Sequence, residues 1–415
     1  MNPTFTCGVT LAAAMLLAPP LASQPGSQSA LNAAVAEHLA SREAALVALR
    51  RDLHQHPEVS GAEERTAGII AERLQALGFE VRAGVGGYGV VGILRGAKPG
   101  PMVAFRADMD AVASDFPDPV EYRSLTAGVR HICGHDVHVT VGIGIAEGLA
   151  AVRDELAGSV MLVFQPAEER ATGAKAMLGD GVFASAKPDA IYAVHTAPYP
   201  VGQLGTAPGG MMAGRDIVQV TITGPGDLAA AVEAVQQTIA RVGTVPPQAV
   251  MQPAPGGFVL VQVFPTGAPD GNTRMVRAQI TTASAESRTR AKAGILQGVD
   301  GLAFPHVTLA TSYADRVMAG VTNDSALVVR ANASVRAVLG DESVVVVEGV
   351  PPGFSEDFGS FQDGTPGVMY FLGVSNPAKG TVGMPHTPSY VADDGAIVVG
   401  ARAMVAVLLE WLVPR

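Results

Sequence analysis

Apolar and polar positions along this chain follow two different periods. Between residues 30 and 79, SREAALVALRRDLHQH and EERTAGIIAERLQALGF place apolar residues at helical spacing, so the region predicts helices. Apolar runs of strand length follow: VVGILRG, MVAFRAD, SVMLVFQ and AIYAVH, with the helical VHVTVGIGIAEGLAAVRDEL between the second and third. Strands that alternate with helices predict an α/β fold, a mostly parallel central sheet flanked by helices on both faces. Polar residues then fall at the strand ends: Asp108 and Asp110 after MVAFRA, Glu168 and Glu169 after SVMLVFQPA, and His195 after AIYAV. Ligands of open parallel sheets sit beyond the carboxyl ends of the strands, so three strands aim polar groups at one edge.

From about Asp216 to Val321 the pattern changes. IVQVTITG reads as a strand, GDLAAAVEAVQQTIARVG as a helix, FVLVQVF and RMVRAQITT as strands, AESRTRAKAGILQGVDGL as a helix and HVTLATSYA as a strand. That order, βαββαβ, is the ferredoxin-like split arrangement and predicts an inserted lid domain over residues 215–322. The block holds one histidine, His306, and no acidic cluster, as expected of a unit that shapes a cleft without carrying a metal. The first pattern returns with the strand PGVMYFLGV, His386 in the next loop, and the closing helix ADDGAIVVGARAMVAVLLEWL. The catalytic domain is therefore expected to comprise residues 30–214 and 323–415.

Composition adds bounds. A chain of 415 residues has room for two domains, and 48% apolar against 16% charged residues describes an ordered globular protein. A net charge of −10 without a basic run argues against nucleic acid or an anionic membrane as partner. Residues 1–23 read as an export signal, with an apolar core from Val9 to Leu17, then Pro19, Pro20 and small residues near Ala22 and Ser23. The run is shorter than the ~20 residues that span a bilayer. A periplasmic or secreted protein, free of the membrane after cleavage, is the expectation. Cleavage would remove Cys7 and leave Cys133 with no disulfide partner, and metal ligation would occupy that thiol.

The candidate chemistry concentrates in His131-Ile-Cys133-Gly134-His135-Asp136-Val-His138, a thiol, three imidazoles and a carboxylate in one short segment. Any one histidine would be read as a hydrogen-bonded core residue, but the cluster has no packing rationale. Thiolate and imidazole together bind transition metals, and Gly134 lets the backbone turn so that Cys133 and His135 converge. In Gln165-Pro166-Ala167-Glu168-Glu169, adjacent carboxylates at a strand end point to opposite sides, one towards a metal and one towards substrate. A carboxylate beside a metal-activated water can take its proton and pass it to a leaving amine. The same pair could instead be a solvated charge pair at a helix N-terminus. His54 and His56 at a helix end read as structural; His138, three residues after His135 and on the same helix face, could be a ligand but is read as a residue behind the ligands or in the packing.

RRDLHQHPEVSGAEERTA, FRADMDA, HICGHDVH, VFQPAEE, AVHTAPYPVG, GFSEDFGSF, PGVMYFLG and MPHTPSY together resemble the metal-dependent aminoacylase and carboxypeptidase family, in its branch of hippurate hydrolases, N-acyl-amino-acid amidohydrolases and auxin-conjugate hydrolases. The resemblance implies two divalent metal ions (zinc or manganese, with cobalt or nickel as further choices) held by Cys133, His135, Glu169, His195 and His386. It implies Glu168 as general base on a water held between them, with Asp108, Asp136 and His138 behind the ligands, orienting them. The implied reaction is hydrolysis of the amide of an N-acyl-amino acid or a similar small amide. A dipeptidase or carboxypeptidase of the same family, or a non-catalytic metal- or peptide-binding relative with a degenerate lid, are the rival readings. A homodimer through the lid is implied as well. The insert departs from the family. ITGPGDLAAAV replaces an HGAMP-like turn with its histidine, GAPDGN replaces an NVIPD-like segment with Ala268 or a neighbour where asparagine would fall, and Thr281 or Thr282 stands where an arginine ends the next strand. Arg215, Arg274 and Arg277 are the candidates to replace those donors.

Overall fold

The helical stretch at the start of the chain forms two helices, Gln28–Gln55 and Glu64–Ala76. The first begins where the Ser27 side chain accepts the Ala30 N–H, and it buries the stripe Leu31, Val35, Leu39, Leu46, Leu49 and Leu53. It stops at His56, since Pro57 cannot follow within a helix. The computed structural model describes residues 27–252, 254, 256–266, 270–314 and 318–413, together with Met1. The expected export signal, including Cys7, and Ala268 lie outside the described residues.

The central sheet has eight strands. Its middle is parallel, in the order Ala157–Gln165, Lys98–Asp108, Ala190–Pro200 and Gly367–Ser375. An antiparallel hairpin, Glu80–Val85 with Gly89–Arg95, extends one side, and the short strands Leu204–Thr206 and Val344–Val346 extend the other. Register places Asp108 opposite Gln165 and His195 opposite Phe371, so polar groups from neighbouring strands reach one edge. On one face pack the helices Gln28–Gln55, His135–Ala151, Ser325–Leu339 and Gly395–Leu412. The other face buries Ala104, Met161, Val163, Ile191, Ala193 and Met369 against Phe358 and Phe361.

Alternation along Lys98–Asp108 decides what reaches the site. Val103, Phe105 and Ala107 enter the helix-side core, whereas Ala104 faces the opposite core and Arg106 and Asp108 share its side. Gly395–Leu412 is long and apolar enough to cross a membrane by length and composition, but most of it is buried, which makes it a core helix.

Between Gly214 and Tyr313 lies a separate four-stranded antiparallel sheet. Its order is Val259–Val263, Thr273–Thr282, Gly214–Thr223, Thr308–Tyr313, and its helices are Leu228–Ala240 and Ala285–Asp300. Along the chain this reads βαββαβ. Val218, Val220, Ile222, Val276, Ala278 and Ile280 form a core with the two helices, which leaves the alternate residues on the opposite face.

Candidate metal centre

Gly134 sets the geometry of the cysteine–histidine pair. It precedes the helix His135–Ala151 with φ 90° and ψ 20°, a left-handed conformation that favours glycine. A Cβ there would lie 2.1 Å from Tyr390 Oη and 2.6 Å from Thr196 Oγ1. Thr196 Oγ1 donates to the Cys133 carbonyl at 2.6 Å, which ties the turn to the strand that carries His195.

His135 Nδ1 donates to the Asp110 carbonyl at 2.8 Å and lies 3.2 Å from Asp110 Oδ1. That leaves Nε2 turned towards Asp108 Oδ2 at 3.6 Å, Glu169 Oε1 at 3.9 Å and Glu168 Oε2 at 4.0 Å. His195 Nδ1 donates to the Thr196 carbonyl at 2.8 Å, and its Nε2 is 3.4 Å from Cys133 Sγ. His386 holds a left-handed backbone, φ 57°, unusual outside glycine, while its N–H donates to the Ile132 carbonyl at 2.9 Å. This brings its Nε2 to 3.3 Å from Glu169 Oε1.

The ligand atoms of Cys133, His135 and His195 lie within 4.8 Å of one another, and so do those of Cys133, Glu169 and His386. Cys133 thus belongs to two possible ligand triads. His135 Nε2 and Glu169 Oε1 are buried atoms with no hydrogen-bond partner among the described residues, a costly state that a cation between them relieves. Thiolate, imidazole and carboxylate suit a divalent transition metal, so the residues present fit one.

Burial and the nearby His138 depress His195 to about 3, so it is neutral and able to ligate. Burial opposes charge on His135 too, but Asp108, Asp110 and Glu169 outweigh it and push that imidazole up to about 10. Burial and the Glu169 and Glu168 carboxylates hold the Cys133 thiol well above its ordinary value.

Glu168 reaches the site through a turn, not through strand alternation. The strand ends at Gln165, and Ala167 has φ 52°, its N–H held by Glu63 Oε1 at 2.8 Å. Glu169 then faces His386, while Glu168 converges with Glu356 and Asp357. Burial, then Glu356, Glu169, Asp357 and Asp108, push the Glu168 carboxyl well above the usual range. One buried guanidinium organises this cluster. Arg106 donates to Gln165 Oε1 (2.8 Å), Asp108 Oδ2 (2.7 Å), Glu356 Oε1 (2.8 Å) and Asp357 Oδ1 (3.2 Å). Asp357 is itself pushed up to about 7 by burial and Glu356 against the pull of Arg106.

The sequence profile of peptidase family M20/M25/M40 matches residues 104–410. The chain belongs to this family. It is 31% identical over 382 residues to thermostable carboxypeptidase 1 of Saccharolobus solfataricus, covering 88% of this chain and 95% of that protein. It is 29% identical over 394 residues to an IAA-amino acid hydrolase, ILR1-like 2, of Arabidopsis thaliana, covering 88% and 85%. Among solved structures, the Bacillus subtilis YXEP protein, described as a dinuclear metal-binding peptidase from the M20 family, superposes with a TM-score of 0.74 at 26% identity, over 89% of this chain and 99% of that one. The protein is an M20-family hydrolase.

Within this M20 hydrolase, the structure changes two of the expected roles. Asp136 does not orient the ligands: its Oδ2 accepts from Arg50 Nε (2.8 Å) and His54 Nδ1 (2.9 Å). It anchors the start of its helix to the first helix of the chain. His54 is structural as expected, buried between Asp136 and Asp118. Asp108 stands beside the ligand nitrogen of His135, and its other oxygen bonds His138 Nδ1. The group that orients His135 from behind is Asp110, whose Oδ2 also accepts from the Glu169 N–H (3.0 Å) and Ser60 Oγ (2.6 Å). Both nitrogens of His138 have partners, Nδ1 with Asp108 and Nε2 with the Thr196 N–H (2.8 Å). The sequence places Asp110 among the polar residues at the strand ends but gives it no role, and it does not mark Arg106, Gln165, Glu356 or Asp357 as site residues. The alternating DMD in FRADMDA was the available signal for Asp110.

Two cavities flank the centre. One of about 300 Å³ beside His195 is largely apolar, with Tyr199, Met212, Phe354, Phe371 and Met384 in its wall. The other, about 380 Å³, lies between Glu169 and the inserted sheet.

Proposed function

We propose that this protein is a dinuclear metal-dependent amidohydrolase that cleaves the amide of N-acyl-amino acids. Cys133, His135, Glu169, His195 and His386 would hold two divalent ions, zinc or manganese, with cobalt or nickel as further choices. Bound there, the ions supply Lewis-acid polarisation of the scissile carbonyl and lower the pKa of water. Glu168 takes the proton of the attacking water and delivers it to the leaving nitrogen. Its carboxyl is buried beside the centre and converges with those of Glu356 and Asp357, which Arg106 binds. Asp110 fixes His135 and the backbone of Glu169 together.

The observation that carries this reading is the pair of ligand triads sharing Cys133, with Glu168 within 4.0 Å of the open nitrogen of His135. The apolar cavity beside His195 favours an acyl group over the free ammonium of a dipeptide. Its one acidic residue, Glu348, is exposed at the rim. A dipeptidase or carboxypeptidase is the second reading, since relatives carry the name carboxypeptidase. The inserted unit would act as a lid and a dimer contact, and residues 1–23 would export the chain to the periplasm or beyond.

The test is metal analysis combined with a substrate panel. The protein as purified and after reloading should bind about two metal equivalents per chain, hydrolyse N-benzoylglycine faster than dipeptides, and lose that activity to a chelator. Full activity in the stripped protein, or a preference for dipeptides, contradicts the reading.

A further inference from the structure

The turn that delivers Glu168 and Glu169 has an unfavourable backbone. The strand Ala157–Gln165 stops on one side of it and the helix Gly173–Gly179 starts on the other. Within it Ala167 and Ala171 both adopt a left-handed conformation, φ 52° and 53°. Such a conformation is costly for a residue with a Cβ and persists only where the surroundings impose it. Three buried carboxylates grip the turn. Glu63 Oε1 accepts from the Ala167 N–H at 2.8 Å and Asp110 Oδ2 from the Glu169 N–H at 3.0 Å. Asp357 holds both ends at once: its Oδ1 accepts from Gln165 Nε2 at 2.6 Å and its Oδ2 from the Ala174 N–H at 3.1 Å.

Asp357 differs from the other two in what lies behind it. Its segment, residues 354–362, is bonded to the chain on both sides of the insert. The two passages pair where Arg215 and Met318 exchange N–H to carbonyl bonds at 3.0 Å each. On the entry side, the Phe354 carbonyl accepts from the Ala213 N–H at 3.2 Å. On the exit side, Gln362 Oε1 accepts from the Thr322 N–H at 3.0 Å and its Nε2 donates to the Thr322 carbonyl at 2.9 Å. Between these ties Gly359 runs so close that a Cβ on it would lie 1.9 Å from the Gly320 carbonyl oxygen. We infer that Asp357 is a positioning residue for Glu168, and that through residues 354–362 it ties the placement of the insert to the shape of the turn. It acts through Gln165 and Ala174, not on the substrate. The effect on catalysis rests on the proposed role of Glu168, whereas the tie itself does not.

The test compares wild type, Asp357→Asn, Gln362→Ala and the double variant as metal-loaded full chains. Asp357→Asn keeps the size of the side chain but removes one acceptor oxygen, which frees one end of the turn. In hydrolysis of N-benzoylglycine at equal metal content it should lower kcat about 10- to 100-fold with KM little changed. Gln362→Ala, whose lost bonds are to Thr322 and to no metal ligand, should lower kcat about 2- to 30-fold. The two losses should not multiply, because the second variant cuts a tie already broken by the first. A merely structural pair of residues would lower stability, leave kcat of the folded enzyme alone, and show no such coupling. Hydrogen–deuterium exchange gives a reading that needs no reaction: exchange in residues 166–174 should rise in both single variants. If Asp357→Asn does not fold, Gln362→Ala decides by the same two readings. A wild-type kcat in either single variant, losses that multiply, or unchanged exchange of the turn in Gln362→Ala overturns the inference. If wild type hydrolyses no amide but exchange still rises in both variants, the tie stands and the proposed reaction fails.

Discussion

His135 is held at one nitrogen and faced by three carboxylates at the other. The Asp110 carbonyl accepts from Nδ1 at 2.8 Å with the Asp110 carboxylate 3.2 Å away, while Asp108, Glu168 and Glu169 surround Nε2. Removing the group behind a ligand typically weakens metal binding by about 10–100-fold. Asp110→Ala, which removes the carboxylate beside Nδ1 and its bond to the Glu169 N–H but keeps the backbone carbonyl, should do so in a chelator-competition titration, and an unchanged affinity would show that the carbonyl alone orients His135. The protonation of the protein groups gives a second expectation. Because the carboxylates hold His135 up to about 10 and the Cys133 thiol is raised as well, both carry protons at neutral pH that a metal must displace. Apparent metal affinity should therefore rise with pH between 6 and 8, with proton release seen by calorimetry in buffers of different ionisation enthalpy. A pH-independent affinity would speak against these two ligands. At this scale the dense motif made Cys133, Gly134 and His135 legible in the sequence. Arg106 was not, because a charged residue inside MVAFRAD reads as an ordinary alternation, and its partners Glu356 and Asp357 come from a distant segment.

Elements hold the site through buried polar ties between helices and strands. Arg50, from the first helix, bonds Asp136 at 2.8 Å and Asp394 at 2.9 Å, which links the start of the ligand-bearing helix to the start of the closing helix. Arg50 keeps Asp136 far below the usual carboxylate range against the cost of its burial. Removal of one partner from a buried pair strands the other charge, so Arg50→Ala should destabilise the protein by about 3–5 kcal/mol. Denaturant unfolding of wild type and variant measures this, and a change below about 1 kcal/mol, the scale of a surface pair, would contradict it. The long periodic helices and the parallel strands could be read from the sequence because their apolar faces repeat. Leu204–Thr206 and Val344–Val346 could not: each is too short to show a period and joins the sheet through its neighbours. The helix Ser325–Leu339 is equally hard to read, lying between the insert and the returning strand outside the runs whose period marks an element.

For the whole molecule, the order of motifs along the chain carried most of the architecture. Asp108 and Gln165 end their strands, and these ends meet His195, which lies within Ala190–Pro200, and the loop at His386, because parallel strands carry successive segments to the same edge. What the order could not supply was the relation between the insert and the metal centre, since that depends on which face of the inserted sheet turns towards Glu169. The central claim is that Glu168 moves the proton while the five ligands hold the metal. Steady-state hydrolysis of N-benzoylglycine by wild type and Glu168→Ala, each with its metal content determined, tests it most directly. Loss of a general base predicts a fall in kcat of about 10²–10⁴, with the metal content of the two proteins equal. A Glu168→Ala enzyme that keeps both its metal and the wild-type rate would contradict the account.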